Sequence, residues 1–428
     1  MKCSRFRAAY AALLLAASCA APAREVARDA QLEPISAAWL APFLARVEAV
    51  RGLRFVHSVT AWQVAPGALS ALLERELDRS ASRQEITRES ELAASLGLLP
   101  PGFDLRAAVL HFAAEDAAGF YSPLAGRIYV VDGEASAGGE SGDALLVHEV
   151  AHALQAQHSG LFPALIGIRG DDDLVFALSA LLEGEATYIE LEDAEAQGGV
   201  ARPTPVAFAQ RFSVAAIAPQ LPRVLAETFV APYSLGYALA EDLAARGGAS
   251  ALDAAYRDPP LTSEELRHPR QYFDAASREP LAELPREPRL DSCRVLTSNC
   301  YGELGVQAWL EDLGANAEEA SRAAAGWDAD RAWRFACGAR RASAWLLEYD
   351  DEQQALELAL AVRALEPATN ALALELSLRA GRLLVSTGLD AVQRAQLLAA
   401  PEARRFERLG DYLAAHPDVR ARARRLLP

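Results

Sequence analysis

Lysine is all but missing from this chain of 428 residues: Lys2 is its single example, and arginine supplies the rest of the basic charge. That bias, with the abundance of alanine and leucine, reflects genome composition rather than function. Positive charge is also outweighed. The formal net charge is −16, and an acidic chain of this kind repels nucleic acid and anionic lipid, which sets both aside as partners. Beyond the N-terminal segment no stretch stays apolar for the ~18 residues that a membrane-spanning helix needs. There are five cysteines, none in C-x-x-C spacing, so a cysteine-based zinc site is set aside too. No internal repeat and no recognisable pro-segment is present.

What is present begins with a targeting pattern. Lys2, Arg5 and Arg7 form a positive n-region and Ala8 to Ala17 a short apolar h-region, the layout of a secretory signal peptide over residues 1–23. Two cleavage readings compete. Ala16-Ala17-Ser18-Cys19 resembles a bacterial lipobox with Cys19 as the lipidated residue, although Ala stands where Leu is usual. Alternatively, Ala21-Pro22-Ala23 is an A-x-A site. The expectation is an exported protein of the bacterial cell envelope, lipid-anchored or else periplasmic or secreted, touching the membrane only through that anchor. In an oxidising compartment one disulfide is expected among Cys293, Cys300 and Cys337. Cys293 and Cys300 are close enough in sequence to clip a loop, which would leave Cys337 as a buried thiol.

The length suggests two or three units at roughly 100–200 residues each. We divide the chain into the signal, a core over 24–290, and a mainly helical part over 291–428 that continues the core or forms a lobe. Residues 24–35 read as a tether, 37–50 as a helix, 55–64 as a strand, and 68–95 as a long helical region with a break. Leu99-Pro100-Pro101-Gly102 is a stop signal, and 105–114 is helical again. Arg127 to Val131 is a short strand that could form a peptide-binding sheet edge or lie buried. Helices follow over 143–158 and 174–195, two more lie within 205–300, and a short strand is expected at 344–349. Asp171, Asp172 and Asp173 sit where a helix N-terminus favours acids; a calcium loop is disfavoured because no multi-ligand pattern follows.

The chemistry lies in His148-Glu149-Val150-Ala151-His152. On a helix, residues four apart share a face, so both imidazoles can ligate one tetrahedral zinc ion. Glu149, one position round, can reach a water on the same metal and act as general base. Three of the seven histidines, His148, His152 and His158, fall within eleven residues. A catalytic zinc wants a third protein ligand. Glu183, separated from His152 by thirty residues, offers one, because that span allows a second helix to return beside the first. Gly184 permits close helix approach, and Glu185, roughly 200° further round, must face elsewhere. His158 lies off the ligand face, and His57, His111 and His416 carry no assigned role.

His148-Glu149-x-x-His152 with a distant Glu183-Gly184-Glu185-Ala186 resembles the gluzincin group of zinc peptidases, whose aminopeptidase branch carries Glu-Gly-x-Ala at that place. A wider likeness is to uncharacterised bacterial secreted or lipoprotein metallopeptidases. It rests on Gly119-Phe120-Tyr121-x-Pro123, on His152-Ala153-Leu154-Gln155-x-Gln157-His158, and on Pro232-Tyr233-x-x-Gly236. Pro259-Pro260-x-Thr262-Ser263-Glu264 up to His268-Pro269, and Gly326-Trp327-x-x-Asp330-Arg331, complete it. The resemblance implies His148, His152 and Glu183 as zinc ligands and Glu149 as base. It also implies a Tyr or His oxyanion donor from outside the metal helices, for which Tyr233 and His268 are the candidates. The expected fold is α+β and mostly helical, a zincin-like core with a small sheet over the two metal-bearing helices. The expected function is zinc-dependent hydrolysis of a peptide or protein substrate. The rivals are an envelope-tethered binding module on the same fold, and a zinc hydrolase of a non-peptide cell-wall bond.

Overall fold

The computed structural model describes residues 32–114, 119–132 and 140–427. The signal peptide, the lipobox cysteine Cys19 and the A-x-A site lie outside the described residues. The described chain is α+β and mostly helical. No helix among the described residues is long and apolar enough to cross a membrane.

A four-stranded sheet opens the fold, in the order β1-β2-β4-β3. Its strands are β1 (Leu32–Pro34), β2 (Ala61–Val64), β3 (Gly119–Ser122) and β4 (Arg127–Val131). The tether therefore ends in a strand: Leu32 to Pro34 pairs antiparallel with β2. β4 pairs parallel with β2 and antiparallel with β3. The terminal strands are thus β1 and β3, and Arg127 to Val131 lies inside the sheet rather than at its edge. Between β1 and β2 runs α1 (Ala37–Arg51). The long helical region is broken as expected, into α2 (Leu69–Ser80) and α3 (Arg83–Ser95). At the break Ser82 and Glu85 form a reciprocal capping box that satisfies the first free N–H groups of α3. α4 (Leu105–Ala114) follows the Pro-Pro-Gly stop.

Three helices carry the centre: α5 (Glu140–His158), α6 (Asp172–Ala196) and α7 (Arg223–Gly247). α6 is buried nearly all round, with Leu174 to Thr187 inaccessible along its length, as a helix enclosed on every side must be. Its crossing with α7 is a glycine pair. A Cβ on Gly184 would overlap the backbone of Gly236, and one on Gly236 would overlap the Ala180 carbonyl. That close approach fixes where Tyr233, one turn before Gly236, meets the other helices, and it gives the Pro232-Tyr233-x-x-Gly236 motif a physical reason. α8 (Ala249–Arg257) follows directly on α7.

The second half departs from expectation. The strand expected at 344–349 is present and helices still make up the larger share, but this part also holds a five-stranded antiparallel sheet in the order β6-β7-β8-β10-β9. β5 (Leu281–Glu283) precedes it in a separate pair, and the sheet comprises β6 (Arg294–Asn299), β7 (Trp327–Cys337), β8 (Arg340–Tyr349), β9 (Glu375–Arg379) and β10 (Arg382–Thr387). α9 (Gly302–Asp312) and α10 (Glu352–Ala364) pack on it. β8 is buried from Ala342 to Tyr349, so the alternation that marks a half-exposed strand is missing from its sequence. The disulfide also differs. Arg294 pairs with Ala336 across β6 and β7, which brings Cys293 opposite Cys337, and these two are bonded. Cys300 stands at the far end of β6, roughly 23 Å of extended chain away, and is the buried free thiol.

Buried charges join this sheet to the start of α6. Asp330 on β7 accepts from the backbone N–H groups of Tyr301 and Gly302 at 3.0 and 2.9 Å, and from the indoles of Trp327 and Trp345 at 3.1 and 2.7 Å. Arg331, next along, donates to the Gly170 carbonyl and lies 3.8 Å from both Asp171 and Glu283. Glu283 also meets Arg286 at 2.6 Å and His416 at 3.1 Å. Burial opposes its charge, but His416, Arg286 and Arg331 outweigh burial and hold its pKa at about 2, below the ordinary 4.5. A depressed carboxylate pKa contributes stability that is complete above the ordinary value and is lost as pH falls through the depressed one. Glu283→Gln is expected to cost about 3–5 kcal/mol at neutral pH. In urea unfolding the gap to the native chain should narrow as pH drops from 4.5 to about 2; a gap independent of pH would show that the charge on Glu283 is not what stabilises.

Candidate metal centre

α5 carries His148, Glu149 and His152, and α6 carries Glu183. Both helices lie in the core, and all four side chains are buried, from 0% exposed for His152 to 5% for Glu149. His148 Nε2 is 3.2 Å from Glu183 Oε2, His152 Nε2 is 3.1 Å from His148 Nε2, and His152 Nε2 is 3.4 Å from the same Glu183 oxygen. The three atoms form a nearly equilateral triangle. Its edges match the ~3.3 Å separation of tetrahedral ligands bonded at ~2.0–2.1 Å. Two groups of three such side chains occur among the described residues. The other, Glu279, Asp328 and Asp350, is largely exposed, and Asp328 is already paired with Arg405 at 2.7 and 2.6 Å.

The outer nitrogens settle the tautomers. His152 Nδ1 lies 2.8 Å from Gln155 Oε1, and the Gln155 amide nitrogen donates to the Leu182 carbonyl and to Glu185, each at 2.9 Å. Gln155 therefore presents an acceptor, which places the His152 proton on Nδ1 and leaves Nε2 with a lone pair. On His148, Nδ1 lies 3.3 Å from Glu190 Oε2, which favours the same tautomer. Two imidazole lone pairs and a carboxylate oxygen thus point at one another in a dry interior. Three acceptors at such distances need a cation between them. In the metal-free chain a proton fills part of that need. Desolvation opposes charge on His148, but Glu183 and Glu190 outweigh it and raise its pKa to about 10. Burial likewise opposes the Glu183 charge, yet His152 and His148 lower its pKa to about 2. Imidazole and carboxylate together suit zinc.

Glu149 is not one of the three; its Oε2 accepts from the Tyr121 N–H of β3 at 2.6 Å. Burial raises its pKa, against the pull of the two histidines and that N–H. Tyr233 is fully buried, and its ring stacks on His148 with centroids 6.1 Å apart and 26° between planes. His268 is not brought to the centre. It is half exposed and bonded through Nε2 to Glu303 on α9 at 3.0 Å, because it caps the short helix 269–273 beyond the Thr262–Ser263 turn. Glu185 faces away from the triangle, as the helix angle requires. His158 bonds the Arg54 carbonyl at 2.8 Å, and Gln157 holds the N–H groups of Val56 and His57, so the end of the His152-to-His158 motif ties down a loop. Asp171, Asp172 and Asp173 form no metal cluster. Asp173 accepts the Ser263 N–H at 3.1 Å and Asp172 the Asn299 amide at 2.7 Å.

A family model described as a domain of unknown function (DUF8575) matches residues 293–396. The match starts at the disulfide cysteine Cys293, spans β6 to β10, and contains none of the triangle residues. No curated protein and no solved structure matches the chain.

Three residues that hold the centre were not singled out from sequence: Glu190, Gln155 and Tyr121. Glu190 follows Glu183 by seven, two turns along the same face of α6, and that spacing could have identified it. Gln155 and Tyr121 sit inside quoted motifs, but only the folded geometry shows what they contact. Glu190→Gln is expected to weaken zinc binding about 10–100-fold, measured by competition with a chelating dye. Unchanged affinity would mean that Glu190 does not orient His148.

Proposed function

We propose that this chain is a zinc-dependent hydrolase, and that its substrate is a peptide or protein. The observation that carries the reading is the triangle of His148 Nε2, His152 Nε2 and Glu183 Oε2, at 3.1–3.4 Å, beside a buried carboxylate that is not part of it. His148, His152 and Glu183 would hold the metal, and the zincin-like, gluzincin-type architecture suggested by the motifs belongs to the same proposal. Bound zinc supplies Lewis acidity, polarising a carbonyl and lowering the pKa of a water. Glu149 takes the proton from the attacking water and later gives it to the leaving amine. The Tyr121 N–H steadies one of its oxygens and leaves the other for that transfer. Tyr233 is the remaining candidate for donating a hydrogen bond to the developing oxyanion, since His268 is engaged elsewhere.

A binding module on this fold would need the three ligands alone. Burying Glu149 with a raised pKa costs stability with no return in a structural site, and this favours catalysis. Hydrolysis of a non-peptide cell-wall bond would use the same side chains. Export to the bacterial envelope, with or without lipid on Cys19, is part of the proposal and rests on the N-terminal sequence.

The native chain should hold about one zinc by elemental analysis. Glu149→Gln should keep it while peptide hydrolysis falls by at least ~10²-fold. Absence of zinc from native protein supplied with metal would sink the reading. A zinc-loaded chain that cleaves nothing in a broad peptide library and in peptidoglycan fragments would point to the binding module. Tyr233→Phe should lower turnover by about tenfold or more with zinc retained; unchanged kinetics would remove Tyr233 from the mechanism.

A further inference from the structure

The second glutamate of Glu183-Gly184-Glu185 is fully buried and turned away from the metal triangle. Such a charge is costly to bury unless it is paired. It receives Arg51 Nε of α1 at 2.5 Å, the hydroxyl of Tyr256 on α8, and the Gln155 amide of α5 at 2.9 Å. Arg51 is itself buried and reaches on to Asp253, at 2.5 Å and partly open to solvent. Four helices therefore converge on one carboxylate that has no place in hydrolysis itself.

Its contact with Gln155 carries the consequence. A carboxamide can sit either way round, presenting oxygen or NH2 to a neighbour. Here both amide hydrogens have acceptors, one on the Leu182 carbonyl and the other on Glu185 Oε2. Only the oxygen is left for His152, and Gln155 Oε1 does lie 2.8 Å from Nδ1. Without an anion at position 185 one amide hydrogen loses its acceptor and the flipped orientation becomes competitive. A flipped amide would donate to Nδ1, and the imidazole proton would move to Nε2, where the ligand lone pair has to be. In the native arrangement the outward faces of the two ligand histidines differ in kind: His148 meets a carboxylate directly, while His152 meets one through an amide.

We infer that Glu185, clamped by Arg51 and Tyr256, is a positioning residue that fixes the Gln155 amide and thereby holds His152 in its Nδ1–H tautomer, ready to ligate. The inference rests on the zinc reading above for its purpose, but the tautomer is a property of the metal-free chain. Losing an outer partner of a ligand histidine typically costs 10–100-fold in metal affinity, and that is the effect expected here.

The test replaces the buried pair together, Arg51→Met with Glu185→Met, because paired removal leaves no buried orphan charge, and Asp253, which loses its partner, is partly open to solvent. In metal-free protein labelled with ¹⁵N-histidine, the His152 ring should shift from the Nδ1–H pattern toward Nε2–H. Zinc affinity by dye competition should fall about 10–100-fold. A folded double variant that keeps the Nδ1–H pattern and native zinc affinity overturns the inference. Should the double variant not fold, Gln155→Met, which leaves Arg51 and Glu185 paired, is read the same way: unchanged tautomer and affinity overturn it. If native protein shows the Nδ1–H pattern but takes up no zinc, the proposed function fails and the positioning inference is judged on the tautomer alone.

Discussion

Three lone pairs aimed at one point, deep in an apolar interior, set the terms for the rest of this molecule. His148, His152 and Glu183 stand too close for three bare acceptors, so a proton or a metal ion must sit among them. Such an arrangement survives only if the surrounding structure holds each group in place and in the right protonation state. Nearly every unusual feature of the core answers that demand. The glycine crossing of α6 and α7 brings helices close enough to enclose the cluster. Glu190 and Gln155 engage the outward nitrogens of the imidazoles. The Arg51–Glu185 pair fixes the amide that fixes the imidazole.

The second half of the chain works at longer range. Its sheet contributes no ligand. It does anchor the start of α6, the helix that carries Glu183, through Arg331, Asp171 and Glu283. Asp330 gathers donors from β7, β8 and the start of α9 around one buried carboxylate. The disulfide between Cys293 and Cys337 closes the outer end of the β6–β7 pair. Arg286 and His416 join the same buried network through Glu283, so the end of the helix that carries Glu183 is held by several charges at once. The span matched by the domain-of-unknown-function family, residues 293–396, covers the sheet of this half.

Legibility followed the range of the interaction. Contacts between residues three, four or seven apart on one helix are written in the sequence, because helix geometry is fixed in advance. His148 with His152 was readable for that reason, as was the opposition of Glu183 and Glu185. The stop at Pro100-Pro101-Gly102 was readable because Pro and Gly act locally; a break within 68–95 was raised without a position, and the Ser82 cap that marks it was not singled out. The sheet of the second half was not. Strands buried on both faces lose their alternation, and the alanine-rich sequence then imitates helix. The disulfide went wrong for a related reason: nearness along the chain was taken as nearness in space, whereas a strand carries Cys300 away from Cys293 and a hairpin brings Cys337 to it.

The sequence by itself determined the local chemistry: two histidines one turn apart, a carboxylate between them, and a second helix with a glutamate beside a glycine. The tertiary structure alone decided which of several candidates joins them. It stacked Tyr233 on His148 and sent His268 to Glu303. It made β3 rather than β4 a terminal strand. It also gave Glu190, Gln155 and Glu185 their roles. Those outcomes depend on helix crossings and on register between strands distant in sequence, and such contacts form between surfaces whose relative placement no local pattern encodes.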